Sequence, residues 1–399
     1  MELDLDKNPE SRSKANNAPT VVGIIKEEND NRVALVPGSV PQLKKAGLEV
    51  LVENEAGVGA HYDNSSYEKQ GAEIVARDEV FKKSNVIVSV KKPDAETLAK
   101  LHAGQIFIGL LQPQINTELI ETLRQKSITA ISLDSINRRL SRAQTMDVLS
   151  SQANIAGYKA VLVAADTYGR YFPMMITAAG TAKPAGVLVL GAGVAGLQAM
   201  GTAKRLGALV FGYDVRPETK AEITSVGAKF VDLGEVSGSG EGGYARALTP
   251  EELARQQEAL NAHISRQDII ITTAQVPGKK PPLLVTEEAL QLLKPGSVIV
   301  DIAASDLGGN VAFSKPNETI VTKNGVRIVG AANLPSAMPA SASDAFSGNL
   351  SSLLIYMTKD GVCGIDTEDE IQRDIVICHQ GEIVNKTIAD LVNEKRGQL

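Results

Sequence analysis

The sequence predicts an α/β protein built from two doubly wound parallel sheets, one per domain, joined by long crossing helices. Three observations predict it. Short apolar runs alternate with helical patterns at the spacing of parallel strands covered by helices. One unit of strand, glycine-rich turn, helix, strand and acid runs in order from Gly186 to Asp214. Finally, 399 residues of which 43% are hydrophobic suffice for two separate cores.

The elements follow in order. Val21–Ile25, Glu49–Val52, Asn85–Val90, Gln105–Leu110 and Thr129–Leu133 are apolar runs that read as strands. Ser39–Ala46, Ser66–Gln70, Ala95–Leu101 and Thr117–Gln125 read as the helices between them. Together they make a Rossmann-like domain whose only glycine cluster, Ala56-Gly-Val-Gly59-Ala60, lacks the third glycine of a nucleotide fingerprint. A long helical segment, Ser141–Val163, is expected to lead into a second Rossmann-like domain. There, further strands lie near Lys229–Val231, Asp268–Thr273, Ser297–Asp301 and Arg327–Val329. A helical stretch, Ala340–Thr358, should cross back so that the tail from Ile371 rejoins the first domain. The expected division is a flexible tail at 1–20, a first domain of 21–140 plus 345–399, and a second of 141–344.

The glycine turn carries the chemistry. Gly191-Ala-Gly193-Val-Ala-Gly196 follows the strand Gly186–Leu190 and opens a helix. Gly191 permits the tight turn, Gly193 lets backbone amides approach a pyrophosphate, and Gly196 lets helix and strand close together. The helix N-terminus offers unpaired N–H groups and partial positive charge to phosphates. Asp214 ends the next strand, 23 residues after Gly191, near the ~20 expected for the acid that takes the adenosine ribose hydroxyls. A carboxylate there repels a 2′-phosphate, so NAD(H) is favoured over NADP(H), with Arg216 weakening the preference slightly. The expected dinucleotide contacts are Gly191, Gly193, Val194, Ala195, Gly196, Asp214, Val215, Arg216 and Ala274. A second match, Gly238-Ser-Gly240-Glu-Gly-Gly243, has no strand before it and no helix after it. It reads as a flexible arm whose aromatic end, Tyr244, suits a lid over a bound cofactor.

Composition excludes several classes. A net charge of −6 without a basic, aromatic-laced stripe argues against nucleic-acid binding. Two cysteines, Cys363 and Cys378, with no CxxC or Cys/His set, give neither a structural metal site nor a disulfide framework. The charge-free stretch Pro184–Ala203 could pass for a membrane span. It contains the glycine fingerprint, so a buried strand–turn–helix is expected instead. Residues 1–20 have no apolar core, so a flexible tail is expected there rather than a signal peptide.

The densest motif is Arg139-Leu-Ser-Arg-Ala-Gln144-Thr-Met-Asp147-Val-Leu-Ser150, continuing to Tyr158. With Tyr171-Phe-Pro-Met-Met-Ile-Thr-Ala-Ala-Gly-Thr181, the fingerprint and Gly242-Gly-Tyr244-Ala, it resembles the NAD(H)-binding component, domain I, of proton-translocating NAD(P) transhydrogenase. The resemblance covers nearly the whole chain from Val21. It implies that Arg139, Gln144, Asp147 and Ser150 contact the nicotinamide carboxamide and ribose, with Tyr158 nearby and Tyr244 at a mobile loop tip. Gln144, Asp147 and Ser150 recur at spacing three, so one helical turn could direct all of them inward. Hydride passing directly between two nicotinamides moves no proton, so positioning groups suffice.

The resemblance further implies an alpha subunit of the split, Si/Re-specific type. Such a subunit works with an NADP(H)-binding subunit and membrane-spanning subunits that couple hydride transfer to proton translocation. A homodimer, peripheral on the cytoplasmic face of the inner membrane, is the matching expectation. The fold is shared with alanine dehydrogenases, which carry a histidine where Gln112 stands. Gln112 cannot exchange a proton at neutral pH, although Lys91 and Arg32 are candidates for the lysine and the carboxylate-binding arginine of that enzyme. A third class is a nucleotide-sensing module that binds NADH without chemistry.

Overall fold

The computed structural model describes residues 18–234, 249–276 and 278–396. The first sheet opens with β1 (Val21–Ile24), β2 (Glu49–Glu53), β3 (Glu73–Val75), β4 (Val86–Lys91), β5 (Ile106–Leu110) and β6 (Thr129–Ser132). An exposed hairpin follows, β7 (Met175–Thr177) and β8 (Gly180–Ala182). The second sheet contains β9 (Gly186–Leu190), β10 (Leu209–Tyr213), β11 (Lys229–Phe230), β12 (Ile269–Thr272), β13 (Val298–Asp301), β14 (Thr319–Val321) and β15 (Arg327–Gly330). A small hairpin, β16 (Thr358–Lys359) and β17 (Val362–Cys363), precedes β18 (Val376–His379) and β19 (Glu382–Ile383).

The chain's last strands return to the first sheet, whose order is β19-β18-β6-β5-β4-β1-β2-β3. It is parallel except at β18 and β19, which run antiparallel at one edge. The second sheet is ordered β11-β10-β9-β12-β13-β15-β14, with only β14 antiparallel. Parallel strands are buried on both faces, which is why they read as unbroken apolar runs. In β4 and β5, Val86, Val88 and Ile108 enter one core, while Ile87 and Phe107 enter the core on the opposite face. Each fully buried side chain of this size contributes about 1.5–3 kcal/mol.

Two long helices cross between the sheets, Val148–Thr167 and Pro339–Met357. The second packs Phe346, Leu350, Leu353 and Leu354 into the core of the first sheet. The expected single helix over Ser141–Val163 is not formed. Ser141–Met146 is a 3-10 turn, the chain breaks at Asp147, and the α-helix starts at Val148. The cause is local: Asp147 leaves helical geometry and its carboxylate caps the new helix by accepting from the Ser150 N–H. The charge-free stretch Pro184–Ala203 divides into β9, the glycine turn and the helix Val194–Arg205. Among the described residues no helix is long and apolar enough to cross a membrane.

Candidate functional site

Both sheets reverse their strand order once, and the chemistry collects at the carboxyl ends of the strands at those points. In the second sheet the reversal lies between β9 and β12. Gly191 turns there with φ +105°, and a Cβ on it would meet the Thr273 hydroxyl at 2.4 Å. On Gly196 a Cβ would stand 1.9 Å from the Gly191 carbonyl oxygen, so the helix Val194–Arg205 can approach β9 only with glycine here. Gly193, in contrast, faces open space, with nothing within 4 Å of an added Cβ. The three glycines thus divide as the motif requires, two for close packing and one for access. Thr273 Oγ1 donates toward the Gly191 and Leu190 carbonyls at 3.3 and 3.4 Å, tying the end of β12 to the turn.

Asp214, just beyond β10, accepts from the Ala192 N–H at 2.7 Å, and so holds the glycine turn from the other side. The Arg216 guanidinium and backbone N–H also donate to its carboxylate, at 3.0 to 3.1 Å. Burial alone would raise this carboxyl. The bonds from Arg216 and Ala192, with the arginine charge, outweigh it and hold Asp214 below the ordinary value. The acid is therefore anionic at neutral pH and suited to accept from ribose hydroxyls. Val194 and Val215 are exposed beside it.

Helix Val148–Thr167 packs across the fingerprint helix. A Cβ on Gly157 would lie 2.1 Å from the Ala195 carbonyl oxygen, so this glycine sets the approach of the two helices. Sequence reasoning missed it. Yet a glycine inside a helix costs about 1 kcal/mol relative to alanine, and that cost is itself a signal of close approach.

Of the residues expected on the nicotinamide side, Arg139 and Gln144 are exposed, and Ser150 and Tyr158 lie on the long helix. Asp147 is buried, its carboxylate engaged as the helix cap, so Gln144, Asp147 and Ser150 do not share one helical turn. The 3-10 turn carrying Gln144 is held by Asn349, whose amide donates to the Thr145 carbonyl at 2.8 Å, and by an Arg142–Glu370 ion pair. Ala274 follows β12 at the reversal point, opposite Asp214. Tyr244 and the arm Gly238–Gly243 lie outside the described residues.

In the first sheet the reversal falls between β1 and β4, and there the chain places a buried acid of its own. Glu27 accepts from Ser89 Oγ at 2.9 Å and from the Val90 N–H at 2.6 Å. Burial pushes its carboxyl up to about 7, against those two bonds, which lower it. A carboxyl with a raised folded value binds a proton more tightly folded than unfolded, so stability should fall as pH rises from about 4.5 to about 7. Thermal unfolding of Glu27→Gln across that range is expected to lose this part of the pH dependence; an unchanged profile would remove Glu27 as its source.

A cleft of about 250 Å³ beside Glu27 is lined by Lys26, Asp30, Arg32, Glu55 and Ser336 among others. Arg32 is almost fully buried and committed: Nε and Nη2 donate to Asp30 at 2.9 and 2.7 Å, and Nη1 donates to Gln152 at 2.9 Å. Nη2 also reaches Asn333 at 3.2 Å. Lys91 donates to the Glu28 carbonyl at 2.7 Å. Gln112 has a left-handed backbone, φ +49°, and its N–H donates to Asp134 at 2.8 Å. The arginine that an amino-acid carboxylate would need is thus already paired with an internal acid. Among the described residues no group of His, Cys, Asp or Glu could hold a metal ion. Cys363 and Cys378 are free.

Fold and turn together define a dinucleotide-binding α/β protein. Comparison with known proteins narrows the class. Profiles described as the N-terminal and C-terminal domains of alanine dehydrogenase/PNT match residues 23–156 and 160–386. The chain belongs to this family. It is 40% identical over 368 residues to NAD(P) transhydrogenase subunit alpha of Haemophilus influenzae, covering 91% of this chain and 71% of that one. It is 42% identical over 362 residues to the same subunit of Cereibacter sphaeroides, with 89% and 69% covered. A crystal structure of transhydrogenase from Sinorhizobium meliloti superposes with a TM-score of 0.82 at 40% identity, covering 91% of this chain and 99% of that chain. Similarity to alanine dehydrogenase 1 of Staphylococcus aureus is lower, 28% over 386 residues, covering 92% of this chain and 96% of that one.

Proposed function

We propose that this chain is the NAD(H)-binding alpha subunit of a proton-translocating, Si/Re-specific NAD(P) transhydrogenase. One observation carries the reading. A glycine turn at the start of a helix, open above Gly193, stands beside an ionised acid, Asp214, in a chain 40–42% identical to transhydrogenase alpha subunits. Gly191, Gly193, Val194, Ala195 and Gly196 would receive the pyrophosphate through backbone amides, while Asp214, Val215 and Arg216 would receive the adenosine ribose. When bound, NADH supplies the hydride. The chain's task is to place the nicotinamide against a second one, on a partner subunit's NADP(H), and to exclude water. Arg139, Gln144, Asp147, Ser150, Tyr158 and Ala274 are assigned to that end, and Tyr244 to a covering loop. Since hydride transfer between nicotinamides moves no proton, glutamine at 112 fits it and does not fit amino-acid oxidation.

Membrane-spanning partner subunits would couple the transfer to proton movement, with this chain peripheral on the cytoplasmic face of the inner membrane. A homodimer belongs to the proposal. Met174 and Ile176, at 57% and 73% exposure, leave the hairpin β7–β8 an apolar surface of the kind that marks protein contacts. In the test, NADH is mixed with this chain and the NADP(H)-binding subunit loaded with NADP⁺. Hydride transfer is expected, along with tighter equilibrium binding of NADH than of NADPH. Binding without transfer would leave a nucleotide sensor. NADH formation from alanine and NAD⁺ by the chain alone would instead establish an amino-acid dehydrogenase.

A further inference from the structure

Sheet order assigns the two halves of the dinucleotide. The adenosine-binding acid Asp214 lies beyond β10, on one side of the turn after β9. A dinucleotide crossing that turn must lay its other half over the ends of β12 and β13. The described residues there, 274–276 and 278–284, follow β12, and Gly278 meets the first domain: a Cβ on it would come 2.6 Å from Cβ of Gln114.

We infer that Asn310 is the positioning residue for this nicotinamide-side loop, an assignment that rests on the functional reading above. Asn310 is fully buried. Its side-chain oxygen accepts from the Ala274 N–H at 2.9 Å. Its amide donates to the Ala274 carbonyl at 2.9 Å and to the Pro282 carbonyl at 2.7 Å. Its own carbonyl accepts from the N–H groups of Leu284 and Val285 at 2.8 and 2.9 Å. One residue therefore fastens the loop at both ends. Both amide hydrogens and the side-chain oxygen are committed to backbone, so Asn310 acts on the ligand only through the loop.

Asn310 is itself fixed from below. Asp301, fully buried at the end of β13, accepts from Thr272 Oγ1 at 2.8 Å and from the Ala303 N–H at 3.0 Å. Its other oxygen lies against Gly309, where a Cβ would approach to 2.1 Å. Only glycine lets the chain pass this carboxylate and deliver Asn310 to the loop. Thr273, one residue on from Thr272, is bonded to the Gly191 turn, so loop, clamp and pyrophosphate turn form one connected unit.

The test separates the two halves of the ligand. AMP binds through the adenosine half alone, whereas NADH needs both. For Asn310→Ala, NADH affinity is expected to fall about tenfold or more, with AMP affinity within twofold of the parent. Asn310→Asp keeps the acceptor for Ala274 but loses both donors, and should fall between. Equal weakening of both ligands would reduce Asn310 to a general structural role, and no change in either would remove it altogether. Should both variants fail to fold, amide hydrogen exchange on the parent decides: the Ala274 N–H is expected to be protected, and fast exchange there overturns the clamp. These binding and exchange measurements need no partner subunit. A parent chain that transferred no hydride would therefore fail the functional reading while leaving this result standing on its own.

Discussion

Gly196→Ala and Gly193→Ala should separate folding from binding within one six-residue motif. At Gly196 the new methyl would meet the Gly191 carbonyl oxygen at 1.9 Å and its carbon at 2.8 Å, both backbone atoms that no rotamer change can move. The helix Val194–Arg205 must then withdraw from β9, at an overpacking cost of about 1–3 kcal/mol. The Gly157–Ala195 approach has no slack either, because Ala195 sits on the same first turn. Thermal or denaturant unfolding should show the loss, and NADH affinity should drop at least tenfold as the turn deforms. At Gly193 the backbone is already in an ordinary region, φ −76°, and nothing lies within 4 Å of a Cβ. Stability should therefore stay within about 0.5 kcal/mol. The methyl would nevertheless stand in the space left open for phosphate, so NADH affinity should fall while the unfolding midpoint holds. A Gly193→Ala variant with unaltered NADH affinity would mean that the pyrophosphate does not approach this turn.

The division of labour among these glycines was legible in the sequence because the motif is local, set by residues within one strand, one turn and one helix. The buried strands were legible for a related reason. Gly186–Leu190 and Leu209–Tyr213 are apolar runs between helical patterns, and the structure forms strands over the same residues. What escaped was short, exposed or long-range. The strand Glu73–Val75 has three residues, and the helix Arg77–Lys83 carries only two buried apolar side chains, so neither leaves a periodic trace. The hairpin β7–β8 is open to solvent and gives no inside–outside alternation. Over Ser141–Val163 a helical pattern was visible but its interruption was not, because Asp147 can serve equally as a helix residue or as a cap. The clamp around Asn310 joins residues 25 to 36 positions apart, and the Asp30–Arg32 network joins residues up to 303 apart. No spacing rule reaches such pairs; only the folded chain brings them together.

Asp30→Ala should be among the most damaging single substitutions in the first domain, although Asp30 lies far in sequence from the glycine turn. Its side chain is fully enclosed and takes both Nε and Nη2 of Arg32. Burial would raise the carboxyl, but the Arg32 bonds and charge, with the Asn333 amide, win and hold it far below the usual carboxylate range. Without it a guanidinium only 5% exposed is left uncompensated, a loss of about 3–5 kcal/mol. The damage would spread, because this loop is sewn to both halves of the molecule. Asn333 bonds Asp30 at 2.9 Å, Gln152 joins Arg32 to the Ala342 carbonyl, and Val33 and Val36 donate to Ser343 and Ser347 of the crossing helix.

The sign of the pH effect follows from the lowered carboxyl. Its contribution is full above the unfolded value, about 3.9, and is lost as pH falls through the folded one. The parent should therefore lose stability below about pH 4 more steeply than Asp30→Ala does. Replacing the pair together, Asp30→Leu with Arg32→Met, should recover most of the loss, since apolar residues of similar volume carry no desolvation penalty. Urea unfolding free energies of the parent, Asp30→Leu, Arg32→Met and the double variant give the coupling energy. Additive losses would mean that the two charges stabilise the loop independently. A coupling of about 2 kcal/mol or more would show that Arg32 is held for Asp30, and so withheld from any substrate carboxylate.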